Sequence, residues 1–297
     1  MIIDSHQHFW DPDRGDYGWM TGAAAPLRRV YTPGDLRPEM QRAGVSGSVL
    51  VQTWSSLDET REFLELAARE SFILGVVGWV DLTDPALPQT LAELQHGPHG
   101  RWLVGVRHQV HDEPDAQWLL RSDVQRGLAA VQAANLVYDL LLRPRELPAA
   151  LQTVQTFPGL RFVVDHIAKP DIAARVVEPW STLMGGFAAH RSHVWCKLSG
   201  MTTEADLQHW TDADLAVFVQ RALEVFGPQR CLWGSDWPVC TLAGSYQRTL
   251  EATRTHLARL SPEHQACVLA GSAIDAYRLD LRGLEGHASS PAGTSAT

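Results

Sequence analysis

Residues 2–12, IIDSHQHFWDP, place an apolar start, two histidines one residue apart and an abrupt turn signal side by side. A short apolar run closed by Asp and Pro reads as a strand, so Ile2–His8 is expected to be extended, with His6 and His8 at its C-terminal end. Residues two apart on a strand share a face, which would group Asp4, His6 and His8 and turn Ile3 and Ser5 the other way. The same unit recurs. Gly47–Thr53, Ile73–Val80, Leu103–Val110, Leu136–Leu142, Arg161–Ile167, Val194–Ser199 and Cys231–Asp236 bring the expected strands to eight. Their Val, Ile and Leu content suits strands buried on both faces, as in parallel sheets.

Helical patterns lie between them. Thr32 precedes Pro33, Asp35 follows three residues on, and Gly44 closes the segment. Ser56 with Glu59 reads as a capping box ahead of TREFLELAARE. Thr211 opens DADLAVFVQRALEVF, and Gly227 stands in the C-cap position. The stretch RPRELPAALQTVQTFPGL, residues 143–160, leaves room only for a short helix. Strands alternating with helices imply parallel pairing through right-handed crossovers. Eight such units imply an α/β chain folded as a single (β/α)8 TIM barrel over residues 1–282. The alternative is an open doubly wound sheet, but no GxGxxG follows the first strand and no phosphate-binding GxxxxGK[ST] occurs. Residues 283–297, GLEGHASSPAGTSAT, are small and polar and are expected to be a disordered tail.

A hydrophobic content of 45% over 297 residues supports a sizeable core. A formal net charge of -9 with no block of basic residues argues against a nucleic-acid partner. The four cysteines form no CxxC pair, which fits reduced thiols better than a disulfide framework. No apolar run approaches the roughly 20 residues of a membrane span, and the first residues lack the basic and apolar regions of a signal peptide. A soluble, cytoplasmic protein acting on a small molecule is expected. Interface patches are not legible in the sequence, so a homodimer and a monomer are equally compatible with it.

In barrel enzymes the reacting groups sit at the C-terminal ends of the strands. That end collects His6 and His8 from the first strand, and Arg107 and His108 from the fourth. His166 follows in VVDHIAKP, Lys197 in WCKLSG and Asp236 in LWGSDWPV. Each has a bland reading: a core imidazole bonded to a carbonyl, an aspartate capping a turn. Together they would need a separate coincidence for every strand. Of 11 tryptophans, Trp10, Trp54, Trp79 and Trp237 fall at or just past strand ends. Their indoles could face the C–H surfaces of a sugar or simply cover the barrel as core. Gln52, at the end of the second strand, could bond a polyol or cap a turn. FWDPDRGDYGWMTGAAAPLRR is too long for a simple connection and is expected to cover the site or to be a mobile surface loop.

In this order and spacing, DSHQHFWDP, GVRHQVHDEPD, VVDHIAKP, CKLSGM and LWGSDWPV resemble the amidohydrolase superfamily. Within it they are most similar to the sugar-lactonase branch (amidohydrolase 2 type) that includes L-fuconolactonases and L-rhamnonolactonases. The resemblance runs to about Tyr277, where VLAGSAIDAYRL is similar to the family's closing helix. It implies a distorted barrel that hydrolyses a lactone, ester or amide with an activated water. His6, His8, His166 and Asp236 match positions that bind or approach a divalent metal in metal-using members, zinc foremost. This chain departs from the binuclear pattern: Arg107 and His108 stand where a bridging lysine or glutamate is expected, and LVYDLLL holds no histidine. One metal at most is implied, and members of the branch that work without tight metal binding leave it dispensable.

The chemistry divides accordingly. Asp236 is the expected base. His6, His8, His166 and Arg107 would stabilise the oxyanion where no metal does. His108 would assist proton transfer, and Lys169 and Lys197 would orient substrate hydroxyls. The expected activity is the opening of a sugar-derived lactone in carbohydrate catabolism. The alternatives are a mononuclear metal-dependent decarboxylase and a non-catalytic sugar-binding barrel. Only Arg107 is placed to meet a substrate carboxylate, so a neutral polyol is favoured.

Overall fold

A computed structural model describes residues 1–285. Eight parallel strands pair in sequence order: β1 (Ile3–Gln7), β2 (Gly47–Val51), β3 (Ile73–Gly78), β4 (Leu103–His108), β5 (Val137–Leu140), β6 (Arg161–Val164), β7 (Val194–Leu198) and β8 (Cys231–Trp233). The ring closes between β1 and the residues after β8. There the Asp236 N–H donates to the His6 carbonyl at 2.8 Å and the His8 N–H to the Trp237 carbonyl at 2.7 Å. The principal helices are α1 (Pro33–Ala43), α2 (Leu57–Arg69), α3 (Leu87–His96), α4 (Ser122–Ala133), α5 (Leu147–Thr156), α6 (Trp180–Gly185), α7 (Asp212–Phe226) and α8 (Tyr246–Leu257). This is the (β/α)8 barrel expected from the alternation.

Two strands are shorter than their apolar runs. β6 stops at Val164 because His166, Ile167, Ala168 and Lys169 all take left-handed conformations, with φ of 51°, 48°, 59° and 47°. β8 stops at Trp233, and Asp236 is again left-handed at φ 57°. His166 and Asp236 therefore stand on loops just above the barrel and do not close strands. Left-handed backbone costs a non-glycine residue about 1–2 kcal/mol. Burial of Ile167 and Ala168 helps to offset this, as do the bond from Lys169 N–H to the His166 carbonyl and that from Trp180 Nε1 to the Ile167 carbonyl, at 2.8 and 2.6 Å.

Asp4, His6 and His8 do not share a face. The β1–β2 register shifts between Asp4 and Gln7, and an extra residue in one strand reverses the alternation beyond it. Ile3 joins the apolar cluster inside the barrel. Asp4 instead accepts from Ser235 Oγ at 2.6 Å and from the Tyr246 hydroxyl of α8 at 3.0 Å. Past the shift, His6 turns inward.

The inner cluster is Ile3, Val49, Val51, Val77, Val137, Val163, Trp195 and Leu232, closed by Ala273, Ala276 and Tyr277 of the helix Ser272–Tyr277. That helix meets β6 where the strand begins: Arg161, its first residue, lies beside Asp275. It thus covers the N-terminal mouth and leaves the opposite end for the polar groups. Residues Arg282–Glu285 form one further helical turn; residues 286–297, the rest of the expected tail, lie outside the described residues. Among the described residues no helix is long and apolar enough to cross a membrane.

α4 packs so closely that a Cβ on Gly127 would lie 2.1 Å from the Leu82 carbonyl oxygen. Gly127→Ala should therefore destabilise the protein by about 2 kcal/mol, although helix propensity alone favours alanine by about 1 kcal/mol. Urea unfolding measures it; an unchanged or raised midpoint would contradict the packing.

Candidate active site

Three imidazoles converge on one carboxylate oxygen. Asp236 Oδ1 lies 3.4 Å from His8 Nε2, 3.7 Å from His6 Nε2 and 3.9 Å from His166 Nε2. His6 and His8 approach through their Nε2 atoms at 3.1 Å. The His8 ring is fixed by Nδ1, which donates to the Val51 carbonyl at 2.8 Å. His166 Nδ1 meets Ser199 Oγ at 2.9 Å. Gly200 follows Ser199 at φ +62°, and a Cβ there would lie 2.6 Å from His166 Nδ1, so the close passage of β7's loop requires glycine.

Burial lowers all three histidine pKa values; His166 falls to about 4. Neutral rings keep lone pairs for a metal or for hydrogen bonds. Burial alone would raise Asp236, but His166 and the other two imidazoles outweigh it and hold the carboxyl well below the usual range. The site is thus an anion among neutral nitrogens.

Arg107 completes the group. Its Nη1 lies 3.2 Å from His6 Nε2 and 3.0 Å from Asp165 Oδ2. Beneath His6 the interior carries charge. Lys197 Nζ lies 2.6 Å from Asp139 Oδ2, 2.9 Å from Asp165 Oδ1 and 3.1 Å from His6 Nδ1. The Tyr277 hydroxyl donates to both oxygens of Asp139, at 2.9 and 2.8 Å. Burial raises Asp139 to about 6 despite Lys197. It would raise Asp165 too, but Lys197, His6 and Arg107 hold that carboxyl well below its usual range.

His6, His8, His166, Asp236 and Arg107 are brought together as the strand ends implied; the other sequence candidates have separate places. Lys197 has no exposed surface and supports His6 from below, so it cannot orient substrate hydroxyls. Gln52 is buried and braces Arg107, whose Nη2 donates to its Oε1 at 3.3 Å. His108 points elsewhere from β4: Trp79 Nε1 donates to its Nδ1 at 3.1 Å, its Nε2 meets Glu113 at 2.7 Å, and its ring stacks on Trp118. Lys169 pairs with Glu204 at 2.6 Å. Trp237 is buried against Phe9 and Tyr31. Trp10 and Trp54 line a cavity of about 680 Å³ with Arg14, Tyr17, Tyr31 and Glu59.

The strand-end pattern passes over Asp139, Asp165 and Tyr277. A signal was present, since VYDLLL and VVDH each set an aspartate in an apolar strand, where an unpaired charge is costly. Nothing local marks Tyr277.

His6, His166 and Asp236 each offer a ligand atom within 4.8 Å of one another, and His8 adjoins them. Imidazole and carboxylate donors of this number suit one zinc-like ion, so the residues fit a mononuclear site. Among the described residues no other group of three such ligands comes together.

The capping box at α2 is half made. Ser56 Oγ accepts from the Glu59 N–H at 3.3 Å, but the Glu59 carboxylate turns to the Thr53 and Trp54 N–H groups, at 2.9 and 3.1 Å. It thereby ties down the loop after β2 beside the cavity. Burial raises Glu59 from 4.5 to about 7. The folded state therefore binds this proton more tightly than the unfolded state does. Its contribution is intact below pH 4.5 and lost as pH rises through 7, a swing of about 3 kcal/mol. Glu59→Gln should remove that dependence, so the stability difference between variant and parent should shift in the variant's favour from pH 5 to pH 8 in urea unfolding. Parallel pH profiles would contradict it.

Comparison with known proteins finds relatives along nearly the whole chain. A family model described as amidohydrolase matches residues 3–279. The L-fucono-1,5-lactonase of Burkholderia ambifaria is 38% identical over 290 residues, covering 96% of this chain and 98% of that enzyme. The L-fucono-1,5-lactonase of Burkholderia multivorans is also 38% identical over 290 residues, covering 94% and 96%. A crystal structure of an amidohydrolase from Burkholderia multivorans with bound zinc superposes with a TM-score of 0.88 at 37% identity, covering 94% of this chain and 100% of that one.

Proposed function

Because the chain belongs to the amidohydrolase family, we propose that it opens a sugar-derived lactone to the sugar acid by attack of water on the ring carbonyl. The convergence of three imidazole Nε2 atoms within 3.9 Å of Asp236 Oδ1 carries this reading. A carboxylate so placed accepts the proton of a water aimed at a carbonyl above it and can return that proton to the leaving alkoxide. Arg107 lies beside His6, where its guanidinium can stabilise the negative charge that develops on the carbonyl oxygen. Arg107 is itself paired with Asp165, and among the described residues no second arginine joins this group. That supports a neutral polyol ring over a substrate bearing carboxylates.

A carboxylate that ionises so readily is a weak base, and the water must be acidified in turn. His6, His166 and Asp236, with His8 adjoining, would hold one divalent metal, zinc by the donor set, which when bound supplies Lewis acidity and a lowered water pKa. The cavity lined by Trp10 and Trp54, just past β1 and β2, would offer indole faces to the sugar, although none of His6, His8, His166 or Asp236 lines it.

The protein should acidify a weakly buffered solution of aldonolactones. Asp236→Asn should lower that rate by about 10³-fold while leaving thermal unfolding close to the parent's. Undiminished turnover by the variant, or carbon dioxide release from an aromatic carboxylate without any lactone opening, would contradict the assignment. Removing metal with a chelator, followed by zinc titration, reports what the ion adds. Loss and recovery of rate together with one zinc per chain is the expected result.

A further inference from the structure

Asp236 takes its left-handed turn, at φ 57°, between two residues joined by one hydroxyl. The Trp237 N–H donates to Ser235 Oγ at 2.9 Å. That hydroxyl has a single proton and two acceptors in reach, Asp4 Oδ2 at 2.6 Å and the His6 carbonyl at 3.4 Å, and the shorter contact takes it. Asp4 Oδ1 accepts from the Ser235 N–H at 2.8 Å and from the His6 N–H at 3.1 Å. The Tyr246 hydroxyl of α8 donates to Asp4 Oδ2 at 3.0 Å. One carboxylate thus receives four donors, and three of them belong to His6 or to the turn that carries Asp236. Asp4, Ser235 and Tyr246 are all buried. Asp4 turns to α8 and the Ser235 hydroxyl is engaged on both sides, so none of the three can touch a substrate at the barrel mouth.

A buried carboxylate must be satisfied somewhere, and fastening α8 to β1 would need only the bond from Tyr246. The other three bonds go to the closure between β1 and the residues after β8. They hold a sparsely populated backbone conformation, of the kind that persists only where its surroundings fix it. The turn also lies directly on β1: a Cβ on Gly234 would stand 2.7 Å from His6 Cβ. A shift of Ser235 would therefore carry Asp236 away from the imidazoles. We propose that Asp4, Ser235 and Tyr246 are positioning residues that fix where the Asp236 carboxylate stands relative to His6, and with it how tightly the site holds a divalent cation. The site is thereby coupled to α8 in the outer layer. The lactonase reading enters only the kinetic half of the test.

Zinc affinity is measured on chelator-treated protein by competition with a coloured zinc chelator, for the parent, Tyr246→Phe, Ser235→Ala and Gly127→Ala. Tyr246→Phe, which removes one hydroxyl, should bind zinc about tenfold more weakly. Ser235→Ala, which frees both neighbours of Asp236, should lose up to about 100-fold. Gly127→Ala disturbs packing at α4 instead and should stay within about twofold of the parent. On an aldonolactone at saturating zinc, Tyr246→Phe and Ser235→Ala should lose about tenfold in kcat with KM within about twofold, because the displaced group meets the transition state. Unchanged zinc affinity in both variants would overturn the proposal, as would unchanged kcat at saturating zinc. An equal loss of affinity in Gly127→Ala would overturn it too, since general loosening would then explain the effect. Should Ser235→Ala fail to fold, Tyr246→Phe decides alone. A parent that binds zinc but opens no lactone would defeat the lactonase reading and leave the affinities to decide; a parent that does neither would overturn both.

Discussion

An ammonium group with no exposed surface sits at the centre of this barrel, and much of the site's arrangement follows from accommodating it. Lys197 can remain charged there only because Asp139 and Asp165 come within 2.6 and 2.9 Å. Those carboxylates arrive from β5 and from the turn after β6, while Lys197 comes from β7. The pairings therefore fix the relative height of three neighbouring strands. Asp165 also binds Arg107 from β4, and Lys197 reaches His6 from β1. One connected set of charges spans half the barrel wall and ends on the imidazole that faces Asp236. Removing one member would leave its partner buried and unpaired, which costs more than the pair itself contributes.

Much of the fold was legible in the sequence because it depends on local pattern. Short Val- and Ile-rich runs, capped helices and Gly stops are properties of neighbouring residues, and the eight-unit barrel follows from counting them. The polar cluster was legible for a related reason: polar groups at successive strand ends become neighbours once the barrel closes. His6, His8, Arg107, His166 and Asp236 all meet as that rule requires. The details that escaped are non-local. Period-two reasoning put Asp4 beside His6, but a register shift set by pairing with β2 separates them. Lys197 looked like a group facing substrate because its strand position is right, while its depth depends on how high β7 sits against β5 and β6. His108 follows Arg107 directly and so faces away from it, toward Trp79 and Glu113.

The site also shows where local preference gives way. An isoleucine and an alanine hold left-handed backbone between His166 and Lys169, and Asp236 does the same. No propensity argument places the isoleucine and the alanine there, whereas aspartate tolerates this region. Such conformations persist where surrounding packing over-determines them and where the geometry gained has a use. Here they aim His166 and Asp236 at each other across the barrel mouth.

A crystal structure with an aldonolactam, whose ring nitrogen slows hydrolysis, tests the central claim most directly. The lactam carbonyl should lie over Asp236 and Arg107, with its carbon about 3–3.5 Å from a water bonded to the Asp236 carboxylate. A ring seated against Trp10 and Trp54 with its carbonyl turned away from Asp236 would contradict the account.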